Sequence, residues 1–505
     1  MRLFRYTITF FLILALLPSL LFAKETTENK LKTTSKTGKT HTTKKSSTLT
    51  KSSKATLSYN QADATNAINT ILARFGEDIN IGIMVKNLKT NQIVYAKNAD
   101  SYYVPASNQK ILTAYTALSL LGSNFTYQTK LFADVTKISN NTLNDNVTLK
   151  FSGDPELTFT HLDTLLKSLS KGGVHTIKGK FIIDDGDFDN NYWPPGGAYD
   201  DHTACFGAPI STVIINRNCV GFQLYATRAN QPANVSGAAT QLVNINNQVT
   251  TETSNKTCVP QLQSQADNNY ILSGCVRRGA HMSVGIVVQN PHLYAQSVLR
   301  YLLKKNQITV SDGVSFGSIN PQTPLFVVHK SRPLGALVTR MLKRSDNIIA
   351  NALFKTIGFA YNHSQSTWEN SGQAMQAILS KDVGIQFADH AFIDGAGLSR
   401  YNHITPAQIT AILQRAYQQY AVIPEAVTGL PIAGVDGTLA GRMSQVARKV
   451  RAKTGSEISV CSLSGYIFTR NNQVLSFSIL INGFVGPLHK YRLLEDKICI
   501  VLTNT

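Results

Sequence analysis

Hydrophobic positions near the start of the folded chain follow first a helical and then a strand spacing. Residues 61–75 place apolar side chains three and four positions apart, which predicts an amphipathic helix. Residues 79–85 alternate between apolar and polar side chains, and residues 93–96 resume this alternation after a turn, so we expect a β-hairpin. Pro105 then precedes a second helical pattern over residues 107–121. The fold is therefore expected to begin with a helix, a hairpin and another helix.

The pattern changes after residue 130. Residues 131–289 form short alternating segments separated by Gly, Pro and Asn, which predicts an inserted β-rich region. Helical spacing and then strand spacing return afterwards, with helices predicted at 293–304, 333–354, 405–417 and 490–502 and strands at 449–453, 459–469 and 474–481. This order predicts an α/β (α+β) fold, in which a domain formed by residues 59–130 and 290–505 is interrupted by the insertion.

The first 58 residues have a different composition. Residues 1–23 place Arg2 and Arg5 ahead of an apolar run, which is typical of a cleavable signal peptide. The large Leu21 leaves an uncleaved N-terminal anchor as the alternative. Residues 24–58 are rich in Lys, Thr and Ser and contain no aromatic residue, so we expect a disordered basic tether. The sequence thus predicts an exported, most simply periplasmic, protein.

The tether has nine Lys against two Glu and so contributes +7 of the formal net charge of +19. Because we expect export, nucleic acid is not an expected partner. The tether is expected either to be a solvated linker or to be attracted to anionic wall polymer or lipid headgroups.

Six Cys are present, and an oxidising compartment favours disulfides. Cys205 with Cys219 and Cys258 with Cys275 are closely spaced pairs, whereas Cys461 and Cys499 are expected to be buried thiols. Spacing alone leaves the connectivity open.

Three short motifs contain the candidate chemistry: Ser107-Asn108-Gln109-Lys110, Ser345-Asp346-Asn347 and Lys453-Thr454-Gly455. Each is weak alone, since the chain contains copies such as Ser168 to Lys171. That copy lies in an amphipathic stretch with no partner motifs after it, so we interpret it as a solvated helix end. The order and the context of the three motifs carry the prediction.

Ser107 and Lys110 are one helical turn apart, so the amine is expected to reach the hydroxyl, beside free amides of the helix start. A lysine acts as a base only when burial and nearby positive charge lower its pKa, and Lys453 is the candidate second cation. The alternatives are a helix cap with a nearby lysine at Ser107 and an exposed strand lysine at Lys453.

The second motif lies within the predicted helix 333–354. A hydroxyl at Ser345 could pass a proton to a leaving amine, and Asn347 could hold a substrate carbonyl. Gly455 has no side chain and is expected to let a substrate backbone lie alongside the strand. The alternative for Ser345 and Asn347 is a pair of solvated polar residues on an amphipathic helix.

In this order the motifs resemble those of the penicilloyl-serine transferase superfamily. The 238-residue gap between Ser107 and Ser345 is similar to the insertion of three-domain low-molecular-mass penicillin-binding carboxypeptidases. Further segments resemble that family over roughly residues 60–505, namely Val104-Pro105-Ala106, Gly153-Asp154-Pro155, Ala208-Pro209-Ile210, Asn216-Arg217-Asn218, 394–400 and 433–438.

The resemblance implies a β-lactamase/transpeptidase-like domain with a central antiparallel sheet and a serine D-alanyl-D-alanine carboxypeptidase or endopeptidase acting on peptidoglycan peptides. It implies that Ser107 is acylated, that Lys110 is the base and that Ser345 relays the proton. It further implies that substrate contacts come from Asn347, Lys453, Thr454, Gly455 and Ser456, with the amides of Ser107 and Ser456 forming the oxyanion hole. β-Lactams are the implied covalent inhibitors, and neither a metal nor a cofactor is implied.

Two positions depart from the family pattern: Glu457 replaces a small or apolar residue, and Ala396 replaces a frequent Ser. The sequence leaves open whether Glu457 faces the cleft. A serine β-lactamase and a non-catalytic wall-binding or sensor protein are the rival functions. The choice between carboxypeptidase and endopeptidase also stays open, because both attack a D-alanyl carbonyl.

Overall fold

The computed structural model describes residues 61–76, 79–253, 258–389 and 391–505. The predicted signal peptide and tether, residues 1–58, lie outside the described residues. Within the described ranges, no helix is both long and apolar enough to cross a bilayer.

The helices of the described chain, numbered in order, are α1 (Gln61–Phe75), α2 (Gln109–Leu121), α3 (Phe159–Lys171), α4 (Pro291–Lys305), α5 (Leu334–Arg344), α6 (Asn347–Asn362), α7 (Trp368–Val383), α8 (Pro406–Gln418), α9 (Glu425–Thr428) and α10 (Leu488–Thr503). The strands are β1 (Asn80–Asn87), β2 (Ile93–Lys97), β3 (Gln128–Phe132), β4 (Ile138–Ser139), β5 (Thr142–Leu143), β6 (Val147–Lys150), β7 (Thr176–Ile177), β8 (Phe181–Asp184), β9 (Cys219–Tyr225), β10 (Asn234–Ser236), β11 (Asn244–Asn247), β12 (Thr250–Glu252), β13 (Pro260–Ser264), β14 (Asn269–Arg277), β15 (His281–Val287), β16 (Thr309–Val310), β17 (Val314–Phe316), β18 (Leu325–Lys330), β19 (Val450–Glu457), β20 (Val460–Phe468) and β21 (Val474–Asn482).

The main sheet joins the first and last strands of the folded chain. Its order is β19-β20-β21-β1-β2, and every neighbouring pair is antiparallel. The first hairpin therefore joins a sheet whose other strands lie almost 400 residues later, through the pairing of β1 with β21. The edge strand β19 is held by a hairpin with the adjacent β20.

Helices cover both faces of this sheet. Ile479 on β21 packs in a core with α1 and α10, through residues such as Ile68 and Ile498, and the next residue, Leu480, packs in the opposite core with α2, α5, α6, α7 and α8. Successive strand residues point to opposite faces, so apolar residues at consecutive positions are what a strand covered on both sides requires. This is the predicted α/β (α+β) architecture, with a central antiparallel sheet flanked by helices.

A second core lies in the middle of the chain. The sheet β17-β8-β6-β3-β18 and three smaller sheets surround it, and α3 and α4 pack into it. β17 and β18 follow residue 289 and pair with β8 and β3, respectively. The division into domains stays a prediction.

Cysteine pairing follows the sequence spacing. Cys205 bonds to Cys219, and Cys258 bonds to Cys275. Cys461 and Cys499 are buried free thiols. All three expectations for the cysteines are confirmed.

Candidate active site

Ser107 lies in a short 3₁₀ turn, Ala106–Asn108, that leads directly into α2. Ala106 is fully buried and has a φ of 46°, a left-handed conformation that a non-glycine residue adopts only when its surroundings impose it. Gly397 lies against this turn, and a Cβ atom there would be 1.9 Å from the Ala106 carbonyl oxygen. The conformation of the turn before Ser107 is thus fixed by a backbone approach that only glycine permits.

Lys110 contacts the Ser107 hydroxyl directly. Its Nζ donates to Ser107 Oγ at 2.9 Å and to the carbonyl oxygen of Ala396 at 2.6 Å, and its side chain has no solvent exposure. Burial lowers the pKa of Lys110 to about 8, although three carboxylates, Asp394, Asp346 and Glu457, act in the opposite direction. The predicted nucleophile and base are therefore within hydrogen-bond distance, and the base is partly neutral near neutral pH.

Lys453 and Ser345 form a second lysine–serine contact. Lys453 Nζ donates to Ser345 Oγ at 2.9 Å and to its neighbour's carbonyl, Thr454 O, at 2.7 Å. Burial, together with the charge of Lys110, holds the pKa of Lys453 well below its usual range. The two lysines are therefore electrostatically coupled, as the sequence leads us to expect.

Ser345 does not lie inside a helix as the sequence pattern predicts. Helix α5 ends at Arg344, Ser345 has a left-handed φ of 57°, and α6 starts at Asn347. Asp346 is the N-cap of α6, and its Oδ1 accepts a hydrogen bond from Ile349 N at 3.2 Å. Apolar residues are buried on both sides of this break, in α5 and in α6, so periodicity alone could not locate it. The break turns the Ser345 hydroxyl towards Lys453.

The remaining polar residues of the second and third motifs make separate contacts. Asn347 Nδ2 donates to the carbonyl oxygen of Phe206 at 3.1 Å. Thr454 Oγ1 donates to Thr438 Oγ1 at 2.7 Å, and Ser456 Oγ accepts from Arg492 Nη2 at 3.0 Å. The hydroxyls of Thr454 and Ser456 thus bond to residues that belong to neither of the two lysine–serine pairs.

Gly455 packs against the backbone of Ser107 and the residues before it. A Cβ atom at Gly455 would lie 2.9 Å from Pro105 O, 3.0 Å from Ser107 N and only 2.1 Å from Ser462 Oγ. From the sequence, this glycine is expected to make room for a substrate backbone. The structure shows that its missing side chain makes room for the turn that contains Ser107.

Comparison with known proteins agrees with this geometry. The profile of the D-Ala-D-Ala carboxypeptidase 3 (S13) family matches residues 64–500. The chain belongs to this S13 family. It is 30% identical over 425 residues to the D-alanyl-D-alanine carboxypeptidase DacB of Haemophilus influenzae, covering 83% of this chain and 88% of that protein. It is also 28% identical to the D-alanyl-D-alanine carboxypeptidase of Actinomadura, over 80% of this chain and 78% of that protein.

Solved structures agree with the S13 assignment. Penicillin binding protein 4 of Haemophilus influenzae superposes with a TM-score of 0.78 at 30% identity, covering 86% of this chain and 98% of that chain. The same protein in complex with a β-lactam superposes with a TM-score of 0.73 at 29% identity, with the same coverage of each chain. The family and the fold class inferred from the sequence are thereby confirmed.

Glu457, the departure from the family pattern, faces the cleft of this S13 protein. It lies two residues after Gly455 and four after Lys453 on β19, so all three share the face that is turned to Ser107. Burial and the negative charge of Asp201 raise the pKa of Glu457 to about 7, while Arg400 acts in the opposite direction. The orientation that the sequence left open is therefore inward.

The segment around Asp394 supports Lys110, which sequence reasoning did not foresee. Asp394 is fully buried and accepts hydrogen bonds from Gly397 N at 2.8 Å, Leu398 N at 3.0 Å and Asn402 Nδ2 at 2.6 Å. These bonds fix the turn that presents the Ala396 carbonyl to Lys110. Since the contact uses a backbone oxygen, the replacement of a frequent Ser by Ala396 does not remove it.

The copy of the first motif is a helix end, as predicted. Ser168 lies in the last turn of α3 and donates to Thr164 O of its own helix at 3.1 Å. Among the described residues, no cluster of three or more His, Cys, Asp or Glu side chains could hold a metal ion.

Proposed function

We propose that this chain is a serine D-alanyl-D-alanine carboxypeptidase and D,D-endopeptidase that cleaves peptidoglycan stem peptides through an acyl-enzyme on Ser107. The single observation that carries the proposal is the 2.9 Å contact between Lys110 Nζ and Ser107 Oγ, beside the Lys453–Ser345 pair. The S13 family match and the carboxypeptidase names of the relatives support the substrate class.

Acylation begins with a proton transfer inside the first motif. Lys110, as the free amine, accepts the proton of Ser107 Oγ while this oxygen attacks the D-alanyl carbonyl carbon. With a pKa of about 8, about one molecule in ten has a neutral Lys110 at pH 7. A group whose pKa lies near the operating pH is suited to act as a general base.

The tetrahedral oxyanion is assigned to two backbone amides, those of Ser107 and Ser456. Gly455 supports this assignment, since its close packing on Ser107 N keeps β19 and the nucleophile's turn together. Loss of one such donor typically costs about 10²–10³ in rate. Asn347 and Lys453 orient and polarise the substrate, and Thr454 binds its terminal carboxylate.

Collapse of the intermediate breaks the carbon–nitrogen bond. Ser345 delivers a proton to the leaving amine and is resupplied from Lys453 and Lys110, so that free D-alanine, or the amine of a crosslinking peptide, departs. Water then attacks the acyl-enzyme carbonyl, releases the shortened peptide and restores the Ser107 hydroxyl. β-Lactams acylate the same oxygen by opening their ring, which leaves no group to depart.

We further propose that the protein is exported and works in the periplasm, on the basis of its predicted signal peptide. Contact of the basic tether with anionic wall polymer or lipid headgroups stays a prediction.

The proposed activity is tested with a stem pentapeptide and with crosslinked muropeptide dimers. We expect release of free D-alanine from the pentapeptide, conversion of dimers to monomers, and loss of both activities in Ser107→Ala but not in Ser168→Ala. Rapid turnover of benzylpenicillin without a lasting adduct would instead favour a β-lactamase. Binding of muropeptides with no cleavage would favour a wall-binding protein.

A further inference from the structure

A disulfide-closed loop from the middle of the chain contacts the Ser345-Asp346-Asn347 motif at two points. The Cys205–Cys219 bond closes residues 205–219 into a loop. Phe206, next to one cysteine, accepts a hydrogen bond from Asn347 Nδ2 through its carbonyl oxygen. Arg217, two residues before the other cysteine, donates from Nη2 to Asp346 Oδ1 at 2.7 Å. The two ends of the loop therefore hold two neighbouring residues of one motif.

The backbone around Arg217 has an unusual conformation. Asn216, Arg217 and Asn218 have φ angles of 48°, 65° and 49°. Asparagine tolerates the left-handed region because its short side chain bonds locally, but arginine has no such compensation. Three consecutive residues in this region persist only when the surroundings impose them, and such conformations concentrate at functional sites.

Hydrogen bonds on both sides of Arg217 keep the conformation in place. Asn216 donates from its backbone N to Leu157 O at 2.9 Å and accepts from Phe159 N through Oδ1 at 3.0 Å. Asn218 Nδ2 donates to Pro209 O at 3.0 Å. The turn is therefore rigid, and it delivers one guanidinium group to Asp346.

The contact is directed at the carboxylate. Asp346 is almost fully buried, and Arg217 Nη1 is itself buried without a hydrogen-bond partner among the described residues. The second arginine on Asp346, Arg340, is more distant at 3.3 Å and also contacts Glu156. Burial alone would raise the pKa of Asp346, but the hydrogen bond and charge of Arg217, together with the Ile349 amide and Arg340, hold this pKa below its usual value.

Asp346 connects this arginine to the catalytic groups. It caps α6, it directly follows Ser345 with its left-handed backbone, and its negative charge favours the protonated form of Lys110. A displaced or unneutralised Asp346 would thus move Ser345 and Asn347 and change the proton affinity of the base.

We propose that the loop 205–219 is a clamp for the Ser345-Asp346-Asn347 motif and that Arg217 is a positioning residue for acylation. Arg217 touches neither substrate nor the reacting atoms, and it acts through Asp346. The inference rests on the proposed function, because it concerns the rate at which Ser107 is acylated.

The test compares Arg217→Gln with Arg332→Gln in the full-length protein. Arg332 bonds to Glu156 at 2.7 Å, in the same group of ion pairs, but does not contact Asp346. We expect the second-order rate constant for acylation by a fluorescent penicillin to fall about 10- to 100-fold in Arg217→Gln, as for a small misplacement of catalytic groups. In Arg332→Gln it should stay within about twofold of wild type, as for an exposed ion pair.

The pH profile separates positioning from general destabilisation. Without the Arg217 charge, Asp346 attracts the protonated form of Lys110 more strongly. The increase of the acylation rate with pH should therefore occur at higher pH in Arg217→Gln than in wild type. In Arg217→Lys, which keeps the charge, this increase should return towards its wild-type position. Thermal unfolding of each variant shows whether it is folded. If Arg217→Gln does not fold, Arg217→Lys is tested alone. The clamp then predicts a reduced acylation rate with an unshifted pH profile, and a wild-type rate would count against it.

The disulfide is tested by two double variants. We expect Cys205→Ser/Cys219→Ser to slow acylation, and Cys258→Ser/Cys275→Ser, which opens the other disulfide, to leave it unchanged. Wild-type rates in folded Arg217→Gln and in Cys205→Ser/Cys219→Ser would overturn the clamp while leaving the proposed function intact. A wild-type protein that is not acylated by penicillin and releases no D-alanine would overturn the proposed function itself.

Discussion

Lys453 Nζ donates a hydrogen bond to Ser345 Oγ at 2.9 Å, and this bond links β19 to the break between α5 and α6. Lys453 lies on β19, which forms a hairpin with β20 at the edge of the main sheet, whereas Ser345 is itself the left-handed residue between α5 and α6. The contact therefore forms only when the sheet and the helical core are both assembled.

Removal of the Lys453 amine should impair acylation. In Lys453→Gln, Ser345 Oγ loses its donor, and the cation that polarises the substrate is absent. We expect the acylation rate constant for a fluorescent penicillin to fall about 10²-fold or more, as for the loss of an electrostatic stabiliser. Lys449→Gln, just before the same strand, is the control and should react at the wild-type rate. Equal rates for both variants would show that Lys453 is dispensable.

The pH dependence of peptide cleavage should report on Lys110. The base works only as the free amine, and the pKa of Lys110 is lowered by burial to about 8. Activity should therefore be low in acid, rise with pH and level off above about pH 8, when kcat/KM for D-alanine release is measured between pH 5 and 10. A profile already flat at pH 6 would contradict the assignment of Lys110 as the base.

Glu457 should tune this profile. Its carboxyl has a pKa raised by burial to about 7, and in its ionised form it favours protonation of Lys110. Glu457→Gln removes that charge, so the rising limb should move to lower pH, by less than about one unit. The exposed Glu369→Gln on α7 should leave the limb in place. A shift to higher pH in Glu457→Gln would mean that this side chain does not act on the base through its charge.

Gly397 should be required for the turn that contains Ser107. Gly397→Ala would place a methyl group 1.9 Å from the Ala106 carbonyl oxygen, whereas Gly384, which also has a positive φ, has open space at its Cβ position. We expect Gly384→Ala to cost roughly 1–2 kcal/mol for the left-handed backbone alone. Gly397→Ala should lower the free energy of unfolding by roughly 2 kcal/mol more and should also reduce penicillin acylation. Equal unfolding free energies for the two variants would contradict the contact.

The sequence was sufficient to predict the family, the fold class and the members of the two lysine–serine pairs. Motif order carried this result, since Ser168 and Lys171 reproduce the first motif without its partners. The spacing of one helical turn also predicted the contact between Ser107 and Lys110. Local spacing was sufficient to predict this contact because the two residues are only three positions apart in the chain.

Other features of the site depend on atoms that sequence patterns do not specify. The partner of Lys110 on Ala396 is a backbone oxygen, so no side-chain motif marks it. The break at Ser345 is hidden because apolar spacing continues through it. Arg217 lies 129 residues from Asp346, and its role appears only when the loop 205–219 is folded against α6. These are consequences of tertiary contacts rather than of local propensity.

The claim that Ser107 is the nucleophile is tested most directly by mapping the site of covalent penicillin attachment. The protein is incubated with benzylpenicillin and digested, and the modified peptide is sequenced by mass spectrometry. We expect a lasting adduct on the Ser107 side chain of wild-type protein and none in Ser107→Ala. An adduct on Ser168 or Ser345, or continued labelling of Ser107→Ala, would contradict it.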